Sequence, residues 1–222
     1  MGRKFKLLND WKGDNGTLYK NPEIEINPGL TVLVGCNGSG KTTAIEQIHR
    51  QLINNEIPVL FHDNHKQGER EVLSTASYRQ NFEMMAKLMM SSEGENIKHV
   101  LGNVATDMGA LSRNNPSAKE LWFLFDAIDS GFSVDNIVEL KTLLFPIVSE
   151  TNPDKEIYFV VSANEYELAR GEDCFDIANG RYVRFADYEE YRDFILKSRE
   201  EKDKRIDELC KDSSDRESEE EE

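Results

Sequence analysis

Residues 35–43 read Gly35-Cys36-Asn37-Gly38-Ser39-Gly40-Lys41-Thr42-Thr43, and this stretch decides how the rest of the chain is read. It follows a short apolar run, Leu30-Thr31-Val32-Leu33-Val34, and precedes a segment in which Ala44, Ile45, Ile48, Leu52 and Ile53 share one helical face. Strand, glycine loop and helix in that order make half of a βαβ unit. The pattern G-x-x-x-x-G-K-[ST] is matched in full and in the context it requires. Its glycines let the backbone wrap phosphate oxygens with the amides pointing inward. Lys41 brings positive charge to the outer phosphates, Thr42 a hydroxyl for Mg²⁺, and the helix start its positive end. The expected nucleotide ligands are therefore Gly35, Asn37, Gly38, Ser39, Gly40, Lys41, Thr42 and Thr43. A chance glycine-rich turn is the bland alternative.

Outward from the loop, strands and helices alternate. Upstream, the β-like pieces KFKLL, TLY and EIEI are separated by Asp14-Asn15-Gly16 and Asn21-Pro22, which reads as a small antiparallel sheet. Downstream come a strand over Pro58 to His62, a polar loop from Asp63 to Arg70, and helical periodicity over Ser77 to Met90 and Glu95 to Leu111. The Met and aromatic stripe of these two stretches, with Phe82, Met85, Met89 and Met108, reads as core rather than a cofactor box. After the loop SRNNPS (Ser112 to Ser117), Leu121 to Phe125 suits a strand buried on both faces. Val134 to Val148 reads as a helix, Ile157 to Ser162 as a second buried strand and Asn164 to Arg170 as a short helix. Asn179-Gly180, between Cys174–Ala178 and Arg181–Phe185, signals a tight hairpin. Asp187 to about Cys210 should be helical. The expected fold is α/β: a mostly parallel sheet covered on both faces, an N-terminal antiparallel sheet at one edge, and a helical insert at about 74–111. One domain spans 1–211, followed by a disordered acidic tail at 212–222.

Composition narrows the function classes. The chain has 222 residues, enough for a full core, and 27 basic against 42 acidic side chains, a net charge of −15. Of this, −6 sits in the tail from Asp212, and the remainder is still acidic enough to disfavour sequence-independent nucleic-acid binding by the whole surface. A local basic groove stays possible, so nucleic acid is neither indicated nor forbidden. Cys36, Cys174 and Cys210 show no CxxC or Cys/His ligand spacing and read as reduced thiols of a cytoplasmic protein. No stretch suits a signal peptide or a membrane span, so membrane insertion is not expected.

A Mg²⁺ ion on Thr42 needs a carboxylate facing the phosphates from a neighbouring strand end. Asp126, closing Leu121 to Phe125, fits that role, with a strand-end capping aspartate as the alternative.

The P-loop core NGSGKTT, with Asp126-Ala127-Ile128-Asp129-Ser130-Gly131-Phe132-Ser133 downstream, resembles the ABC-type ATPases, whose corresponding stretch runs Asp-Glu-Pro-x-Ser-Gly/Ala-Leu-Asp/Ser. It looks closest to a small SMC-like or AAA-type branch that includes proteins of phages and Gram-positive bacteria. The resemblance runs from Glu23 to Phe194. It implies a P-loop NTPase fold, ATP and Mg²⁺ as cofactors, and a signature loop that receives the ATP of an opposite subunit in an ATP-dependent homodimer. Ser91-Ser92-Glu93-Gly94-Glu95 matches that loop at Ser92, Gly94 and Glu95, although a plain helix N-cap explains the same residues. Gln67 falls where relatives carry a glutamine near Mg²⁺, and an ordinary exposed glutamine fits as well. Tyr19 and Trp11 are candidates for stacking on adenine, and packing is the other reading of both.

The departures concern chemistry. The usual water-activating glutamate is Ala127, the switch histidine is Asn164, and Ser92 to Asp126 is a longer interval than in transporter ATPases. Lys41, Asp126, Asp129 and Asn164 are the expected catalytic set, with Asp129 as a possible substitute base that in relatives faces the partner. Without a water-orienting base the rate typically falls by about 10² to 10⁴. Three functions follow: slow ATP hydrolysis coupled to dimerisation, an ATP-dependent regulatory switch without turnover, or a P-loop small-molecule kinase. The kinase needs a lid of arginines, and Arg70, Arg79 and Arg113 are sparse. The protein partner that reads the ATP state is not written in the sequence.

Overall fold

A computed structural model describes residues 2–7, 19–63, 93–129 and 132–220. Its centre is a six-stranded sheet in the order β4-β5-β6-β3-β7-β8, with β3 at Gly29–Val34, β4 at Val59–Asp63, β5 at Glu120–Asp126, β6 at Glu156–Ser162, β7 at Asp173–Asp176 and β8 at Arg181–Val183. The first five are parallel and β8 runs antiparallel to β7. The expected mostly parallel α/β sheet is therefore present. The small N-terminal antiparallel sheet is present too, pairing β1 (Arg3–Lys6) with β2 (Glu23–Ile26).

The interior strands read as unbroken apolar runs because both faces are covered. Alternate residues go to opposite sides. Phe123, Phe125, Phe159, Val161, Val32 and Val34 join one core with Val104, Met108, Ile137, Phe145 and Tyr191. Trp122, Leu124, Tyr158, Val160 and Leu33 join the other with Ala44, Ile45, Ile48 and Leu52. Trp122 and Tyr158 stack across β5 and β6 with ring centroids 4.0 Å apart. Burial of each such large side chain is worth about 2–3 kcal/mol.

The first core is covered by α2 (Glu93–Asn114), by α3 (Val134–Glu139) running through a π-helical turn at Leu140–Leu144 into α4 (Phe145–Glu150), by α5 (Tyr166–Ala169), and by α6 (Tyr188–Glu220). The second is covered by α1 (Lys41–Asn54) and the β1/β2 sheet. The π turn has a local cause: Pro146 has no N–H and its ring would strike the carbonyl four residues back in a regular helix. The widened turn, closed by Phe145 N–H to the Leu140 carbonyl, absorbs this.

Several details differ from the sequence reading. Among the described residues the β1/β2 sheet does not extend the backbone ladder of the central sheet; it lies over one face, where Ile24 and Ile26 alternate inward and the glutamates outward, and the Tyr182 hydroxyl of the edge strand β8 donates to the Glu25 carbonyl of β2 at 2.7 Å. Ile53 is half-exposed rather than on the buried face of α1, because Leu52 already occupies the inward position of that last turn. The helix over 95–111 continues to Asn114 and shortens the loop after it. The Asn179-Gly180 hairpin holds four residues between its strands, not two: Asp176 accepts Gly180 N–H on its carbonyl and Asn179 N–H on its carboxylate, so the aspartate builds a wider turn. Finally, α6 runs on to Glu220 through the stretch expected to be a disordered tail. No glycine or proline interrupts the chain after Gly180, and Glu, Lys and Arg are good helix formers. The helical insert is described only from Glu93 onward, so the helix expected at Ser77 to Met90 lies outside the described residues.

Candidate functional site

In open parallel sheets the crevice outside the carboxyl ends of the strands collects loops and binds ligands. Here β3, β5 and β6 end at Val34, Asp126 and Ser162, and the loops after them line a cavity of about 320 Å³. Asn37, Gly38, Gly40, Lys41, Thr42 and Thr43 form one wall, and Asp126, Ala127, Ser162 and Asn164 form the other. The volume is in the range of small-molecule sites.

The first wall is shaped by glycine. Gly40, at the N-cap of α1, has φ 95°, a left-handed conformation that side chains resist. Gly35 has φ 149°, and a Cβ there would lie 2.5 Å from Ser39 Oγ. The loop is pinned from below: Tyr19, buried in the second core, donates its hydroxyl to the Gly40 carbonyl at 2.9 Å. Tyr19 is therefore a packing residue with no free ring face for adenine, and burial holds its pKa well above the tyrosine range.

Lys41 is buried, and its ammonium donates to the Gly35 carbonyl at 2.7 Å and the Cys36 carbonyl at 3.3 Å. Burial pulls its pKa below the usual lysine range, while Cys36, Asp129 and Asp126 pull it back up. A buried cation held on two loop carbonyls, beside a cavity, is a receptor for an anion. Thr42 is exposed on the cavity, as a metal-binding hydroxyl needs to be.

The second wall is shaped by a buried polar chain. Ser162 Oγ donates to Asp126 Oδ1 at 2.5 Å and accepts Ala127 N–H at 2.8 Å. Asp126 is 1% exposed, and its Oδ2 has no hydrogen-bond partner among the described residues. A buried carboxylate oxygen left open is costly unless a cation or donor completes it. Together with the Thr42 hydroxyl on the facing wall, this oxygen fits a Mg²⁺ site, since Mg²⁺ takes one or two protein oxygens and leaves the rest to water and phosphate. Ala127 stands in the left-handed region at φ 51° with no glycine to make that easy.

Asp129 lies behind this wall rather than in the cavity lining. It is buried, and its Oδ2 accepts Asn164 N–H at 2.6 Å and Glu165 N–H at 2.7 Å. It ties the turn after β5 to the turn after β6. Burial raises its pKa, and the two amide bonds offset part of the rise. Its geometry is that of an internal clamp, not of a side chain turned toward a partner. Asn164 does line the cavity, and its carbonyl accepts the Tyr191 hydroxyl of α6 at 3.1 Å.

The fold thus gathers Lys41, Thr42, Thr43, Asp126 and Asn164 into one cavity from three parts of the chain. Gly94 lies in α2, while Gln67, Ser92 and Trp11 lie outside the described residues. Ser162 was missed in the sequence; its signal was a hydroxyl ending IYFVVS at the level where Asp126 ends the neighbouring strand. Asp63 was missed too, although it ends β4 in register beside Asp126 and is 4% exposed. Among the described residues no cluster of three or more His, Cys, Asp or Glu could hold a metal by itself, and no helix is long and apolar enough to cross a membrane.

No protein-family model matches the chain, and no curated protein matches its sequence. What the fold and site define by themselves is an α/β protein with a mostly parallel six-stranded sheet and a polar, cation-bearing cavity at its carboxyl edge.

Proposed function

We propose that the protein binds ATP with Mg²⁺ at this cavity in the manner of ABC-type ATPases, dimerises when ATP is bound and hydrolyses it slowly. The observation that carries the reading is the loop Gly35 to Thr43: it leaves the end of β3, opens α1, and holds a buried lysine opposite the open oxygen of Asp126. Phosphoryl transfer depends mainly on positioning and on stabilising charge, and these residues supply both. The bound Mg²⁺ would neutralise developing phosphate charge. Lys41 would leave its carbonyls for phosphate oxygens, the amides of the loop and of the first turn of α1 would hold the remaining oxygens, and Thr42 and Asp126 would hold the metal.

A second reading is favoured by one specific observation. The backbone at Ala127, where the family has its water-activating glutamate, carries only a methyl, and Asn164 does not titrate near neutral pH as a switch histidine does. The same fold then serves as an ATP-dependent regulatory switch without turnover. Pure full-length chain with ATP and Mg²⁺ distinguishes the two when binding, molecular mass and phosphate release are followed together. Binding with an increase in mass and slow release supports the first. An ATP-dependent dimer that releases no phosphate supports the switch, and no ATP binding at millimolar concentration rejects both.

A further inference from the structure

The helix α6 touches both walls of the cavity from one stripe of its surface. Tyr191, Ser198 and Lys202 are seven and four residues apart, so they share a helical face. Tyr191 donates its hydroxyl to the Asn164 carbonyl at 3.1 Å, Ser198 Oγ accepts Cys36 N–H at 3.2 Å, and Lys202 Nζ donates to the Asn37 carbonyl at 3.3 Å. Ser198 is buried at this contact, and Phe194 and Ile195 between these positions pack on the first core. The helix is thus seated across the glycine loop by apolar packing and meets that loop with polar groups.

The end of the stripe carries a charge. A Cβ built on Gly38 would lie 3.8 Å from Lys202 Nζ, so the ammonium lies over a residue that lines the cavity. Its present partners are weak ones: the neutral Asn37 carbonyl and the carboxylate of its own neighbour Asp203 at 3.4 Å. Its side chain is 29% exposed and hangs on a flexible four-carbon stem. A polyphosphate resting against Gly38 offers several negative oxygens within one rotamer change, in place of one carbonyl.

We infer that α6 is a third element of the nucleotide site, and that Lys202 is a second phosphate-binding cation, delivered from the C-terminal helix to the mouth of the glycine loop. This rests on the nucleotide reading above and adds to it a ligand group from a part of the chain outside the loop and strand ends. It also gives the helix a reason to sense occupancy: when Lys202 turns from Asn37 to phosphate, the loop and α6 are joined through the ligand as well as through Ser198. A cation that acts on charge should contribute more as the number of phosphates rises.

The test is calorimetric titration of the full-length chain with ATP and with ADP, each with Mg²⁺, for wild type, Lys202→Gln and Lys202→Arg, with circular dichroism to verify that the variants fold. Lys202→Gln should weaken ATP binding about tenfold and ADP binding less, in keeping with the loss of one partly exposed charge-assisted bond. Lys202→Arg, which keeps the charge, should stay within about threefold of wild type for both. If Lys202→Gln binds ATP as tightly as wild type, or loses ATP and ADP affinity equally with no rescue by arginine, the inference is overturned and Lys202 only helps to seat the helix. If wild type itself binds neither nucleotide, the failure is that of the nucleotide reading.

Discussion

The glycine loop and the strand-end wall that faces it both hold backbone in conformations that side chains resist, and they do so by opposite means. In the loop the residue type provides the conformation: glycine stands at φ 149° in position 35 and at φ 95° in position 40. In the facing wall an alanine stands at φ 51°, and nothing in its identity favours that. A non-glycine residue there costs roughly 1 kcal/mol or more. The surrounding hydrogen bonds hold it in place, with Ala127 N–H on Ser162 and the next residues tied through Asp129 to the turn after β6. One wall is therefore written locally, while the other exists only once β5 and β6 lie side by side. The difference also divides the chemistry. The local wall carries the buried Lys41 and the exposed Thr42, and the assembled wall carries the buried Asp126 with its open oxygen.

Substitutions on each wall can break or sharpen this contrast. The largest effect is expected from Ala127→Glu, which should raise phosphate release by about 10²-fold if the assembled wall already has the geometry for a base. A phosphate-release assay that shows no rise would mean that the left-handed position does not aim a side chain at the outer phosphate, and would leave the non-hydrolysing switch as the better account. Next is Lys41→Ala on the local wall, which should weaken Mg-ATP binding about a hundredfold by calorimetry. Unchanged affinity would remove the loop from the binding site.

Asp126→Asn should cost about tenfold in affinity, and only when Mg²⁺ is present, since it keeps the oxygen that accepts the Ser162 hydroxyl and neutralises the one facing the cavity. Equal loss with and without metal would assign Asp126 a structural role. The smallest effect concerns Asp129. Burial raises its pKa in the folded state above its unfolded value, so its ionisation opposes folding above the usual carboxylate range, and the penalty disappears as pH falls below the unfolded pKa. Asp129→Asn keeps an oxygen for the two amides and should raise the midpoint at pH 7 by less than about 4 °C, with the gain vanishing near pH 3. A variant less stable than wild type at pH 7 would show that the charge itself holds the two turns together.

Much of the fold was legible because it is written in short-range patterns. The runs ending at Phe125 and Ser162 suit strands covered on both faces, and the alternation of strands and helices predicts a mostly parallel sheet. What the patterns missed had a physical cause each time. The hairpin signal at Asn179-Gly180 was right about the reversal and wrong about its width, because Asp176 captures the amides that a two-residue turn would leave to the strands. Ile53 looked buried because helical periodicity does not say where the stripe ends.

The sequence by itself determined the glycine loop, its lysine and threonine, the aspartate at the end of a buried strand, and the α/β class, since each depends on residues within a few positions of one another. The tertiary structure alone decided that Ser162 orients Asp126 from 36 positions away, that Asp129 clamps the turn at Asn164, and that Ser198 meets Cys36 across 162 positions. Such pairings arise from strand order and helix packing, which set the distance between side chains without leaving a periodicity along the chain. The glycine-loop wall is for that reason readable in the sequence, and the strand-end wall that faces it is not.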